Sequence, residues 1–96
     1  MSILEELRAK RKEIVQIAAR HGVGRIRVFG SVARGDAGPN SDVDFLIEVD
    51  GPTTPWFPGG LVADLEGLLG RRVDVVEPDA LRESLRGSIE KDAIPL

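Results

Sequence analysis

The chain has 96 residues, a formal net charge of −3 and no cysteine. This length suits one small domain. The absence of cysteine excludes disulfide bonds, thiolate zinc sites and cysteine nucleophiles, and it fits an intracellular protein. The weakly acidic balance argues against sequence-independent binding of nucleic acid, and no apolar run is long enough for a membrane span or a signal peptide. We therefore expect one cytoplasmic domain over residues 1–96, with neither membrane nor nucleic acid as its partner.

The first third of the chain predicts a long helix followed by a strand. Ser2, with Glu5 three residues later, forms a capping-box pattern. A stripe at helical spacing then continues to His21 and Gly22, and Gly22 suits the position just after a helix end. The positions of this stripe are Leu4, Leu7, Arg11, Ile14, Ile17 and Ala18. Residues 25–29 alternate polar and apolar side chains, which predicts the first strand.

Gly30 ends this strand, and the next segment predicts a short helix, a loop and a second strand. Residues 31–35 suit a short helix, whereas residues 36–41 are rich in Gly, Pro, Asn and Asp and predict a loop. Residues 42–49 alternate again, which predicts a strand with two different faces. One face would carry Val43, Phe45, Ile47 and Val49, and the other Asp42, Asp44, Leu46 and Glu48.

The second half of the chain predicts a loop, a helix, a strand and a helix. Residues 50–60 contain three prolines and three glycines, which predicts an irregular segment. Leucines at helical spacing predict a helix from Leu61 that stops at Gly70, residues 72–76 predict a third strand, and a last helix follows Pro78 to about Lys91. The expected fold class is α/β (α+β), with a small mixed β-sheet and helices packed on one face. The first two strands would be antiparallel neighbours, and a crossover would bring in the third.

Three carboxylates and one turn suggest phosphate chemistry. Asp42 and Asp44 lie two residues apart and therefore on one face of a strand, where their oxygens suit Mg²⁺. Backbone N–H groups at a turn such as Gly30-Ser31 can cradle phosphates. Asp74 interrupts an apolar strand, where an isolated charge is costly to bury. If the third strand adjoins the second, Asp74 would face the same way as Asp42 and Asp44. It would then act as a metal ligand or as a general base.

Each of these features has an ordinary structural interpretation when it is taken singly. A carboxylate pair is common on the solvent face of a strand, and Gly-Ser is a common turn. Asp74 would also suit an edge strand, where a charge discourages aggregation. Their occurrence together, in this order and at these places on strands, favours a functional site.

The pattern of Gly-Ser, Asp-x-Asp and a later single Asp resembles the DNA polymerase β-type nucleotidyltransferases. It is most similar to the minimal nucleotidyltransferases that accompany HEPN-domain proteins in prokaryotic toxin–antitoxin pairs. Residues 28–35, 41–44 and 71–76 resemble the three signature segments of that family, and residues 91–96 resemble its usual ending. The resemblance therefore extends over essentially the whole chain.

The resemblance implies a nucleotidyltransferase-like fold, an activity and a set of site residues. The family transfers a nucleoside monophosphate, commonly AMP from ATP, to a hydroxyl group, with two Mg²⁺ ions expected. In toxin-linked members the acceptor is a tyrosine of the HEPN-domain partner, so the chain would be an antitoxin. The residues given catalytic and metal-binding roles are Asp42, Asp44 and Asp74. Those given nucleotide-binding roles are Gly30, Ser31, Arg34 and Ser41.

Several alternatives stay open at this point. The chain would also suit a non-catalytic module that neutralises a partner by contact, or an enzyme that modifies a small molecule. We expect the acceptor to dock from outside, because the chain has little beyond the catalytic core. Arg34 would equally suit a solvated surface. Trp56 and Phe57 would either contact a base or a partner, or fold back onto the core. His21 suits a structural role at a helix end.

Overall fold

The computed structural model describes residues 2–96, which form five α-helices and one four-stranded sheet. The helices are α1 (Ile3–Ala9), α2 (Arg11–Arg20), α3 (Gly30–Arg34), α4 (Gly59–Leu69) and α5 (Glu83–Asp92). The strands are β1 (Val23–Phe29), β2 (Val43–Val49), β3 (Val73–Val76) and β4 (Ile94–Pro95). Their order in the sheet is β3-β2-β1-β4.

The sheet has the predicted strand directions. β1 and β2 are antiparallel neighbours, and β3 joins β2 in parallel after the α4 crossover. One face of the sheet carries the main core, in which α1, α2 and α4 contribute Leu7, Ile14 and Leu65, each at most 1% exposed. Burial of this apolar surface is the main force that holds helices and sheet together. The α+β fold class with a mixed sheet is thereby confirmed.

The prediction of one continuous first helix is wrong, because the helix breaks at Lys10. The Ser2 cap is present, since its Oγ accepts a hydrogen bond from the N–H of Glu5 at 3.1 Å. At Lys10 the backbone leaves helical geometry, with φ −104° and ψ 15°. The Lys10 ammonium donates to the carbonyl of Leu68 in α4 at 3.1 Å. The break therefore coincides with a tertiary contact, which the helical spacing does not encode.

The face of the sheet opposite the main core is also partly covered. Arg27 of β1 and Leu46 of β2 are register partners on this face, and both are buried. Glu90 of α5 approaches the Arg27 guanidinium at 3.9 Å, and Glu48 accepts a hydrogen bond from it at 3.3 Å. α5 thus lies against this second face, although no residue within Glu83–Asp92 is itself buried, so the predicted packing of helices on one face does not extend to α5.

Several element boundaries differ from the predictions, and one strand was not predicted at all. α4 begins at Gly59, inside the segment predicted to be irregular, and α5 begins only at Glu83, after a 3₁₀ turn at Pro78–Ala80. The two-residue strand β4 pairs with β1 and was not predicted. A strand this short, with a proline at a sheet edge, gives no periodic signal. In the described part of the chain, we find no helix that has both the length and the apolar character to span a bilayer.

Candidate functional site

The sheet brings the predicted carboxylates to one end of two neighbouring strands. Asp44 of β2 and Asp74 of β3 are direct register partners, and Asp42 stands just before β2 begins. Alternation along the strand directs Asp42 and Asp44 away from the main core, since the intervening Val43 is fully buried. Asp42 and Asp74 are exposed, and Asp44 is half-buried between them.

Like charges and burial act together on Asp44. Its pKa is raised above the ordinary value, first by burial and then by the negative charges of Asp74 and Asp42, whereas Arg34 acts in the opposite direction. The cluster therefore carries negative charge that a bound cation would relieve. Carboxylate oxygens are the donors that Mg²⁺ prefers, so the residues fit this ion. Within residues 2–96, no three acidic or histidine side chains are gathered as a ready-made metal site.

Gly30 brings the turn after β1 against the carboxylate of Asp44. Its φ is +74°, a left-handed conformation that favours glycine. A Cβ atom added at Gly30 would lie 2.5 Å from Asp44 Oδ2, closer than real Cβ contacts. Ser31 follows in the first turn of α3 and is half-buried. Glycine at this position therefore allows the turn and the carboxylate to approach each other.

Arg34 and Ser41 border this cluster in different ways. Arg34 has a half-exposed side chain, and its Nε donates to Asp36 Oδ2 at 3.4 Å. The guanidinium is near enough to Asp44 to affect its pKa. The Ser41 hydroxyl accepts a hydrogen bond from the Gly38 N–H at 2.8 Å, so it closes the turn of the loop that leads to Asp42.

Two arginines precede Asp74 within the segment of residues 71–76, and no role was predicted for them. Arg71 and Arg72 line a cavity of about 370 Å³ together with Asn40, Ser41 and Asp42. Arg71 also donates hydrogen bonds to the loop and to α1. Adjacent arginines two and three residues before a candidate site carboxylate are the signal that could have indicated them.

His21 has the structural role that was predicted for it. It is buried at the end of α2, with Nδ1 2.7 Å from Thr54 Oγ1 and Nε2 2.8 Å from Asp64 Oδ2. The imidazole thereby links α2 to the loop before α4 and to α4 itself.

Trp56 and Phe57, the two aromatic residues of the loop before α4, lie in different environments. Phe57 packs against the core, whereas Trp56 is 91% exposed. The loop follows the far end of β2, and Asp50 lies six residues beyond Asp44, which is about 20 Å along a strand. Trp56 therefore lies at the opposite end of the sheet from the carboxylates, which argues against its contacting a base bound there.

Comparison with known proteins places this arrangement in a family. The nucleotidyltransferase domain model matches residues 4–96. The protein adenylyltransferase MntA of Thermococcus cleftensis is 36% identical, over 98% of this chain and 96% of its own length. The solved structure of a provisionally assigned minimal nucleotidyltransferase is 47% identical, with a TM-score of 0.85, and covers 100% of this chain and 97% of its own.

A further structure shares the fold at lower identity. It is a toxin–antitoxin complex with AMP-PNP, 20% identical over 88% of this chain and 69% of its own, with a TM-score of 0.72. Together, the family match over nearly the whole chain and the relatives of equal length show that this chain belongs to the nucleotidyltransferase domain family, among its minimal nucleotidyltransferases.

Proposed function

We propose that this nucleotidyltransferase is a Mg²⁺-dependent protein adenylyltransferase that transfers AMP from ATP to a hydroxyl group of a partner protein. The observation that carries the proposal is the Gly30 turn held against Asp44, with Asp74 as the register partner of Asp44. The Thermococcus cleftensis relative is named a protein adenylyltransferase, which supports the choice of AMP and of a protein acceptor.

The positions of the site residues support the roles that the resemblance implies for them. Asp42, Asp44 and Asp74 would hold Mg²⁺ through their carboxylate oxygens. When bound, Mg²⁺ neutralises negative charge on the triphosphate and on the departing pyrophosphate. Backbone N–H groups at Gly30 and Ser31 bind phosphate oxygens next to this cluster.

The transfer step conserves atoms and charge. The acceptor oxygen forms a bond to the α-phosphorus of ATP, the bond from that phosphorus to the bridging oxygen breaks, and pyrophosphate leaves. Asp74, exposed on the strand beside Asp44, takes the acceptor proton. Arg34 stabilises phosphate charge through its guanidinium fork. Ser41 supports the step indirectly, by closing the loop turn before Asp42.

The proposed partner is a HEPN-domain toxin, with a tyrosine hydroxyl as the acceptor and this chain as the antitoxin. This assignment extends the family resemblance of residues 28–35, 41–44 and 71–76 to the biological pair. Because the donor is ATP, we place the reaction in the cytoplasm. The partner would be silenced by the covalent AMP rather than by contact.

The test is to incubate the protein with Mg²⁺, ATP and the product of the adjacent gene, and to weigh the latter by mass spectrometry. We expect a mass increase of one or more AMP groups, which disappears in the Asp42→Asn/Asp44→Asn double variant. The matched control, Asp50→Asn/Asp79→Asn, changes two exposed aspartates outside the cluster and should retain transfer. The proposal would be contradicted if the product of the adjacent gene stayed unmodified, or if transfer persisted in the Asp42→Asn/Asp44→Asn variant.

A second measurement separates transfer from neutralisation by contact. The double variant is expressed in cells together with the toxic partner. We expect it to lose protection while it still folds, as judged by circular dichroism. Protection that survives without transfer would instead assign the chain as a binding module.

A further inference from the structure

Arg71 connects the two chain segments that carry the outer carboxylates of the cluster. Its Nη1 donates a hydrogen bond to the carbonyl oxygen of Pro39 at 2.7 Å. Pro39 lies three residues before Asp42, and Arg71 itself lies three residues before Asp74. One guanidinium therefore links the segment before Asp42 to the segment before Asp74.

The other side of the guanidinium is anchored to α1. Arg71 Nη2 donates to Glu6 Oε2 at 3.2 Å, and the arginine side chain is only 25% exposed. A planar guanidinium fork can serve these two acceptors at once, whereas a lysine ammonium lacks this rigid two-point geometry. Because the pair is partly removed from water, it holds its geometry better than the exposed Arg25–Glu48 pair.

The loop that precedes Asp42 is anchored at both ends, since Ala37 packs against the core and the Val43 N–H donates to the Arg72 carbonyl at 2.9 Å, and the Arg71 contact lies between these anchors. The bonds between Gly38 and Ser41 are local, at 2.8 Å from the Gly38 N–H to the Ser41 hydroxyl and 3.1 Å from the Ser41 N–H to the Gly38 carbonyl. They shape the turn but do not attach it to a neighbouring element. Arg71 attaches the turn itself through Pro39, and so restrains the chain that leads to Asp42, in addition to the pairing of Val43 with β3.

We propose that Arg71 is a positioning residue that sets the spacing of the Asp42 and Asp74 carboxylates through the Pro39 carbonyl. It acts through the loop and touches neither the nucleotide nor the acceptor. The proposal rests on the proposed function in one respect, namely that these carboxylates hold Mg²⁺. Residues that orient metal ligands in this indirect way typically alter metal affinity or activity by about 10–100-fold when they are removed.

The experiment compares Arg71→Met, Arg71→Lys and Glu6→Gln with Arg25→Met, which removes an exposed ion pair far from the carboxylates. For Arg71→Met we expect about a tenfold or greater rise in the Mg²⁺ concentration for half-maximal transfer, a lower kcat, and an unchanged KM for ATP. Arg71→Lys and Glu6→Gln should show smaller changes in the same direction, because each retains one of the two contacts. Arg25→Met should match the wild type.

Two readouts do not depend on activity. Titration with Mn²⁺ in the presence of a non-hydrolysable ATP analogue, followed by electron paramagnetic resonance, should show weaker binding in Arg71→Met. Hydrogen exchange should be faster for the amides of Ala37, Gly38 and residues 40–42, and unchanged for those of β1 and β2. If Arg71→Met fails to fold, the same two measurements on Arg71→Lys and Glu6→Gln decide the question.

The outcomes are distinct. Unchanged Mn²⁺ affinity and unchanged Mg²⁺ dependence in the folded Arg71 variants would overturn the proposal. A rise confined to the KM for ATP would also overturn it, since Arg71 would then bind the nucleotide directly. If the wild type transfers no nucleotide but the variants bind Mn²⁺ more weakly, the proposed function fails while the positioning role of Arg71 stands.

Discussion

Replacing Gly30 by alanine tests whether this glycine is needed because of the nearby carboxylate. Gly30 and Gly35 begin and end the α3 segment with nearly equal positive φ angles of +74° and +81°. An alanine in this left-handed region costs about 1–2 kcal/mol at either position. In a domain of this size each kcal/mol lowers the melting temperature by about 4–8 °C. Both variants should therefore lose stability to a similar extent.

The two positions differ in what the added Cβ atom meets. At Gly30 it would lie 2.5 Å from Asp44 Oδ2, whereas at Gly35 it meets nothing within 4 Å. Rotation of the Asp44 carboxylate relieves the clash at little cost to folding, but it moves the carboxylate away from the phosphate site. A displacement of about 1 Å can cost about 10²-fold in rate. We expect Gly30→Ala to lose transfer by about this factor, while Gly35→Ala stays near the wild type.

The assay follows AMP transfer to the partner by mass spectrometry, with thermal unfolding of each variant measured alongside. The comparison is made well below the melting temperature of both variants, so that loss of folded protein does not lower the rates. Equal losses of activity in Gly30→Ala and Gly35→Ala would refute the reasoning, because backbone strain would then explain both. Full activity in Gly30→Ala would refute it as well, because the contact with Asp44 would then have no consequence.

Three other changes have defined outcomes. Burial and the negative charge of Asp74 raise the pKa of Asp44 in the folded protein, so the folded state binds this proton more tightly than the unfolded state does. The tighter binding of the proton favours folding at low pH, and this advantage is lost as pH rises from the ordinary pKa of 3.8 through the raised value. Asp44→Asn should therefore melt at a higher temperature than the wild type at neutral pH in the absence of Mg²⁺, with the gain vanishing in acid; equal melting temperatures at every pH would contradict this. Ser2→Ala removes the hydroxyl that caps α1 and should lower the free energy of unfolding by about 1 kcal/mol in urea titrations, whereas Ser2→Asn should retain most of it. Trp56→Ser should change the unfolding free energy by less than about 0.5 kcal/mol, because the side chain is 91% exposed, and a larger loss would show that Trp56 packs in the folded state.

The carboxylate cluster was predictable because its information is local. Alternation over residues 42–49 assigns Val43 and Phe45 to one face and Asp42 and Asp44 to the other, and the structure buries the first two completely. Gly30 was recognisable as the end of a strand for the same reason, since it directly follows an alternating segment. The parallel arrival of β3 followed from the intervening helix, which is the usual crossover.

The features that were missed depend on contacts between distant parts of the chain. The break at Lys10 has no proline or glycine to mark it, and its side chain reaches Leu68, 58 residues away. Arg71 meets the Pro39 carbonyl across 32 residues. A periodic pattern reports which face of an element is apolar, but it does not report which distant group a long polar side chain reaches.

β2 carries the core and the candidate site on opposite faces, and this arrangement links stability to function. A shift of one residue in its register would turn Val43 and Phe45 outward and bury the carboxylates, so the register is strongly fixed. Burial of apolar side chains of this size is worth about 1.5–3 kcal/mol each. The raised pKa of Asp44 shows that its charge opposes folding. Burial of the apolar face of the same strand offsets this unfavourable free energy. It thereby holds the negatively charged carboxylates together at one end of the small sheet.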